Sequence, residues 1–241
     1  MSQIIAMWSG PRNLSTAMMR SFGARADCAV MDEPFFAPYL LESGKDHPGR
    51  AETLKRHETD PIKVAKFCQF PETDKPYCFQ KHMPHHMLAG FPMGWAEKAK
   101  HFFLIREPER VIASYARGRS AFDLEDLGFR AQRSQFDELT KLTGHIPPVI
   151  ASLDILKAPK KALYSLCGVL EIPFDDAMLQ WESGGRAEDG AWAPYWYNSV
   201  RNSTTFTLPN LKPVELGLEY KQLNAACQVD FDYLSQYKLA V

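Results

Sequence analysis

The apolar run Ile4-Ile5-Ala6-Met7-Trp8, broken at Ser9-Gly10-Pro11, most restricts what this chain can become. Such a run before a breaker reads as a buried strand. Ser15 or Thr16 then opens a stretch, residues 17–22, suited to a helix. Strand, tight loop and helix start turn free backbone N–H groups toward an anion. Arg12 adds a fixed positive charge, and Ser15 and Thr16 add hydroxyl donors. The stretch reads as a phosphate-binding loop or as an ordinary strand-to-helix turn capped by a serine. It lacks the lysine of a Gly-x-x-x-x-Gly-Lys loop.

Any anion binding has to come from such local groups, because the net charge of the whole chain is −1. That balance favours neither nucleic acid nor a membrane surface. No run of apolar residues is long enough for a transmembrane helix, and the opening residues resemble neither a signal nor a transit peptide. Cys28, Cys68, Cys78, Cys167 and Cys227 are scattered and outside any Cys-x-x-Cys pattern. They read as buried thiols in a reducing compartment, so a cytoplasmic location is expected.

Further strands are expected at residues 28–31, 77–82, 101–105 and 149–155. Helices are expected at 17–25, 50–57, 95–100, 111–117 with Pro108 at the first helical position, 159–170 and 216–231. Short strands alternating with helices imply an α/β fold of three layers, α/β/α, with a mostly parallel central sheet. The length suits one domain over residues 1–241, with excursions at 36–60 and 118–146 as candidate lid or acceptor-site segments.

Three cationic or hydroxyl-bearing groups follow strands or sit in loops: Arg12 with Ser15 and Thr16, Arg106 with Ser114, and Arg186. Arginine forks suit phosphate-like oxygens. Two candidate bases also end strands, Glu33 and His82, each able to take a proton from a hydroxyl. Lys81 beside His82 is a candidate for stabilising charge on a bridging or leaving oxygen. His82, His85 and His86 lack an evident fourth ligand, so no metal site is expected. Trp192, Trp196 and Tyr197 are candidates for framing a substrate ring or for core packing.

These motifs, in this order, resemble those of the sulfotransferase family, which uses the donor PAPS (3'-phosphoadenosine 5'-phosphosulfate). Pro11-Arg12-Asn13-Leu14-Ser15-Thr16 resembles the family's Pro-Lys/Arg-Ser-Gly-Thr-Thr loop, which binds the 5'-phosphosulfate. Arg106 through Ser114 resembles the segment whose arginine and serine hold the 3'-phosphate. Asp32-Glu33-Pro34-Phe35 resembles the Glu-Pro element of bacterial and carbohydrate sulfotransferases, where the glutamate is the base. Gln80-Lys81-His82-Met83-Pro84 resembles the Lys-Thr-His-Leu-Pro element of cytosolic members, where the histidine is the base. Residues 152–159 and 170–174 resemble the Tyr-Glu-Asp-Leu strand and the helix after it. Residues 185–190 loosely resemble the late Arg-Lys-Gly-x-x-Gly loop, with Arg186 near its arginine. Leu14 stands at the loop's glycine position, where close backbone approach or an unusual φ is needed.

The resemblance implies a P-loop type fold of the nucleoside triphosphate hydrolase-like kind. It implies in-line sulfuryl transfer from PAPS, leaving PAP, to the hydroxyl of a small-molecule or carbohydrate acceptor. Glu33 or His82 would be the base, with Lys81 as a further catalytic group. Donor contacts would come from Pro11, Arg12, Asn13, Leu14, Ser15, Thr16, Arg106, Ser114 and Arg186. No nucleic-acid or membrane partner is expected, and a homodimer is a candidate assembly. A nucleotide-dependent phosphotransferase and a non-catalytic nucleotide-binding module are the alternatives.

Overall fold

A computed structural model describes residues 2–119, 121–208 and 212–241. Met1, at the start of the expected domain, and Ser120, inside the 118–146 excursion, lie outside them. Five strands form one sheet: β1 (Gln3–Ser9), β2 (Cys28–Asp32), β3 (Tyr77–His82), β4 (Lys100–Ile105) and β5 (Val149–Ala151). Their order is β2-β3-β1-β4-β5, and every pairing is parallel.

The central strand β1 is apolar throughout because both of its faces are covered. Side chains alternate across a strand. Ile5, Met7, Phe79, Phe102 and Leu104 therefore share one core with Met18 and Phe22 of the helix Ser15–Gly23 and Leu163 and Leu166 of the helix Pro159–Val169. Ala6, Trp8, Phe103 and Ile105 share the other with Val64 of Pro61–Gln69, Phe136 of Phe129–Thr143 and Leu234 of Lys221–Ser235. Helices thus cover both faces, giving the three-layer α/β/α fold the sequence implies.

The last strand is shorter than expected. It stops at Ala151, and Ser152–Lys157 is a helix. The Ser152 hydroxyl donates to Ile105 O at 2.9 Å and Asn13 O at 2.6 Å. The side chain thereby joins the ends of neighbouring segments where the strand ladder stops, and Ile155 reaches the core from a helix instead. The C-terminal helix lies at Lys221–Ser235 rather than 216–231. Beyond it Leu239 N donates to Val149 O at 2.8 Å, so the chain end covers the outer edge of β5. Among the described residues all five cysteines are unpaired and buried, and no helix is long and apolar enough to cross a membrane.

Candidate functional site

The loop after β1 holds two non-glycine residues in the left-handed region, Arg12 at φ 63° and Leu14 at φ 78°. Each such residue costs about 1–2 kcal/mol and persists only where its surroundings over-determine it. Here the loop is pinned from beneath. Asn13 turns inward and donates through Nδ2 to Leu104 O at 3.2 Å, while its own carbonyl receives Ser152 Oγ. Arg106 Nη1 donates to Arg12 O at 2.6 Å. Leu14 therefore takes the backbone shape that a glycine would provide. The first helix starts directly after it, and Met18 N, bonded to Leu14 O at 3.1 Å, closes its first turn. The amides before Met18 lie within the turn that has no intrahelical acceptor.

A cavity of about 510 Å³ opens at the carboxyl ends of the strands, where ligand crevices of open α/β sheets lie. Pro11, Arg12, Leu14, Ser15 and Thr16 line it from the loop. Glu33 follows β2, Lys81 belongs to β3 and Arg106 follows β4. Ser114 and Arg117 come from the helix Pro108–Ala116 and its end. Arg12 Nε donates to Ser114 Oγ at 3.0 Å, which joins two segments far apart in sequence. Burial lowers the Arg12 pKa, and Arg117 lowers it further. Burial is also the main cause of the lowered Arg106 pKa. Among the described residues no carboxylate pairs with Arg12, Arg106 or Arg117. Partly buried guanidiniums such as those of Arg12 and Arg106, neither in a salt bridge, suit a polyanion, and Arg117 adds an exposed one at the rim.

The floor is a buried polar network. Lys81 Nζ donates to Asp32 Oδ1 at 2.9 Å, to Tyr197 Oη at 2.6 Å and to Glu33 Oε1. Tyr197 donates in turn to Asp32 at 2.7 and 2.8 Å and accepts from Trp192 Nε1 at 3.0 Å. Gly190 N completes Asp32 at 3.0 Å. Burial pushes the Glu33 carboxyl up, and Lys81 only partly opposes this. Burial presses the Lys81 ammonium the other way, but Asp32 and Glu33 outweigh it and keep its pKa raised. Burial, together with the charges of Asp32 and Glu33, keeps Tyr197 protonated and therefore a donor. A carboxyl with a raised pKa beside a fixed ammonium is suited to proton transfer near neutral pH.

The cavity brings together Pro11, Arg12, Leu14, Ser15, Thr16, Glu33, Lys81, Arg106 and Ser114. Asn13 lies beneath the loop with a 1% exposed surface. His82 faces the opposite side of β3, stacked 4.7 Å from Trp8 and tilted 4.8 Å from Trp95, and does not line the cavity. The alternation of the strand aims Lys81, not His82, at Glu33. Arg186 also lies away from the cavity, with its guanidinium on the carbonyls of Glu182, Ser183 and Gly185. From the two expected excursions, Phe36 and His47 line the cavity, and none of the described residues of 118–146 does. Sequence reasoning had no role for Asp32 beyond its place in an acidic pair, nor for Arg117. Tyr197 reads from sequence as a ring-framing group and is the hub of the network. Its adjacency to Trp192 and Trp196 was the available signal.

An all-parallel sheet of order β2-β3-β1-β4-β5, with an anion-suited loop after its central strand, defines a P-loop-like α/β protein. The chain belongs to the sulfotransferase domain family, which matches residues 2–226. It is 37% identical over 225 residues to branched-chain-amino-acid aminotransferase-like protein 2 of Arabidopsis thaliana, covering 93% of this chain and 40% of that one. It is 38% identical over 221 residues to branched-chain-amino-acid aminotransferase-like protein 1 of the same plant, covering 92% and 40%. The chain thus spans about 40% of the length of these curated relatives. Its fold is similar to the sulfotransferase domain of the curacin biosynthetic pathway, with a TM-score of 0.62, 16% identity and coverage of 96% and 98%. It is also similar to the sulfotransferase domain of the Synechococcus PCC 7002 olefin synthase, with a TM-score of 0.61, 19% identity and coverage of 96% and 95%.

Proposed function

We propose that the chain transfers a sulfuryl group from PAPS to the hydroxyl of a small-molecule or carbohydrate acceptor, with Glu33 as the base. The observation that carries this reading is the meeting, in one cavity, of an unpaired arginine wall and a buried carboxyl–ammonium floor.

The donor set fits PAPS. Arg12, Arg106 and Arg117 offer guanidinium forks, Ser15, Thr16 and Ser114 offer hydroxyls, and the first helical turn offers amides. Pro11 and Leu14 shape the loop that would carry the phosphosulfate, with Asn13 holding it from below. Arg106 and Ser114 would meet the 3'-phosphate. PAPS would supply the activated sulfuryl group. Glu33 would take the acceptor proton, helped by burial that raises its pKa toward neutrality. Lys81, buried and held by Asp32 and Tyr197, would present positive charge beside that carboxyl without moving. His82 and Arg186 have no part in this reading, because neither lines the cavity.

Calorimetry with PAP tests the donor half, and PAPS consumption with a panel of alcohols tests the reaction. Saturable PAP binding that is lost in Arg106→Ala is the expected result. No measurable PAP binding at near-millimolar protein overturns the reading.

A further inference from the structure

We infer that His86 is a second catalytic group of the cavity, which together with Glu33 holds the acceptor hydroxyl between Nδ1 of the imidazole and Oε2 of the carboxylate. The inference rests on the sulfuryl-transfer reading and adds to it a group that touches the reacting oxygen.

Glu33 spends one oxygen on Lys81. Its other oxygen, Oε2, lies 3.8 Å from His86 Nδ1, too far for a hydrogen bond. Both residues line the cavity. His86 is only 3% exposed, and its Nδ1 is buried with no hydrogen-bond partner. Leaving such an atom unpaired is destabilising. A hydroxyl oxygen at ordinary hydrogen-bond distance from both atoms fits a gap of this width. It would donate its proton to Oε2 and accept Nδ1–H.

Packing alone does not account for the nitrogen. The His86 ring stacks on Phe36, 4.6 Å away, and on Tyr39, 4.8 Å away, two rings that themselves lie 6.3 Å apart. That stack needs a flat ring, and phenylalanine would fill it without burying an unpaired polar atom. In this packing Nδ1 lies toward Glu33 Oε2. Burial, with His85 and His47 beside it, keeps His86 neutral. A neutral imidazole facing a carboxylate carries its proton on Nδ1. During transfer the hydroxyl proton passes to Glu33 Oε2. The oxygen's electron pair forms the new bond to sulfur, and the bond from sulfur to the donor's phosphate oxygen breaks, with PAP leaving. His86 Nδ1–H stabilises the negative charge growing on the acceptor oxygen.

Phenol is the probe, because the cavity is lined by aromatic and apolar side chains, among them Phe36 against His86 and Trp192 against Phe36. Nitrogen-15 NMR reads the rings of the seven histidines, and the signal lost in His86→Phe identifies His86. Phenol raised to tens of millimolar, with and without PAP, is expected to move that Nδ1 signal saturably. In turnover with PAPS and phenol, His86→Phe is expected to lower kcat about 100-fold with KM for PAPS nearly unchanged, and His86→Asn to restore part of it. A His86 signal that ignores phenol in both forms overturns the inference, as does a kcat of His86→Phe within twofold of the parent. If phenol is not turned over, the NMR arm decides alone. Failure of PAP to bind overturns the sulfuryl-transfer reading instead, and the phenol titration without PAP still reads the gap.

Discussion

Lys81 and His82 are consecutive residues of β3 that serve opposite faces of the sheet. Lys81 Nζ donates to Asp32 Oδ1 at 2.9 Å beside the cavity. The His82 ring lies 4.7 Å from Trp8 inside the other core and shares its Nε2 proton with Gln80 Oε1 at 3.1 Å. This parity separates two candidate bases that the sequence leaves equal. Glu33→Gln should lower kcat by about 100-fold or more while PAP still binds. His82→Asn should instead lower the unfolding free energy by about 1–3 kcal/mol and leave kcat of the folded protein within a few-fold. Turnover and urea denaturation of the two variants decide between them.

The proposed base also sets a pH profile. Glu33 must be ionised to accept a proton, and burial raises its pKa above the ordinary carboxylate value. Activity should therefore fall as pH drops, tenfold per unit below an apparent pKa above about 4.5. A rate that stays flat down to that pH contradicts the assignment.

The arginines divide cleanly. Arg106 lines the cavity and also holds Arg12 O, whereas Arg186 is occupied by the carbonyls of its own loop. Arg106→Ala should weaken PAP binding by about 1.5–3 kcal/mol, roughly 10–150-fold. Arg186→Ala should leave it within about twofold. Calorimetry at one fixed salt concentration measures both.

Leu14 tests the loop backbone. At φ 78° a β-branched side chain is more strained than leucine, while glycine is not strained at all. Leu14→Ile, which keeps volume and apolarity, should lower stability by about 1 kcal/mol or more and weaken PAP binding. Leu14→Gly should keep PAP affinity. Equal PAP affinity in Leu14→Ile and the parent would show that the loop shape does not matter for the donor.

Acid should destabilise the fold well before carboxylates titrate. Burial depresses His85 and His101 to about 4. His101 is fixed as a neutral ring, with Nδ1 receiving Trp8 Nε1–H at 3.0 Å and Nε2 donating to Ala96 O at 2.8 Å. The unfolded chain protonates these rings near 6.5 and the folded chain does not. The unfolded state thus binds more protons between those values, and stability falls by up to about 1.4 kcal/mol per pH unit for each ring as pH drops through them. Glu33 has the opposite slope, since its raised pKa favours the folded state at the acid end of its own range, but it is one group against several buried histidines. Urea midpoints at pH 7.5, 5.5 and 4.5 should decline in that order.

Local sequence already determined much of this protein. The run from Ile4 to Trp8 is a central strand because it is apolar on both of its faces, and the break at Gly10-Pro11 ends it at any tertiary arrangement. The positions of Glu33, Lys81 and Arg106 at strand ends follow from the same apolar-run-then-breaker pattern. The helix Pro159–Val169 was legible from its leucine spacing. The strand expected at 149–155 ends at Ala151, where the Ser152 hydroxyl bonds the carbonyls of Ile105 and Asn13, residues distant in sequence. Arg186 sits in a stretch that only loosely resembles a family loop, and only the folded loop shows its guanidinium turned back on its own carbonyls.

What tertiary structure alone decided is which side of each strand meets the cavity and which distant groups close around it. Lys81 and His82 differ by one step of the strand, and a one-residue change of phase exchanges the faces on which side chains lie. Nothing local sets that phase. Trp8 and Trp95 set it by burying one ring, and Asp32 and Tyr197, the latter from 116 residues further along the chain, set it by pairing one ammonium. Sequence can place a charge at the end of a strand. The burial that makes it chemically useful comes from partners that only the folded chain brings near.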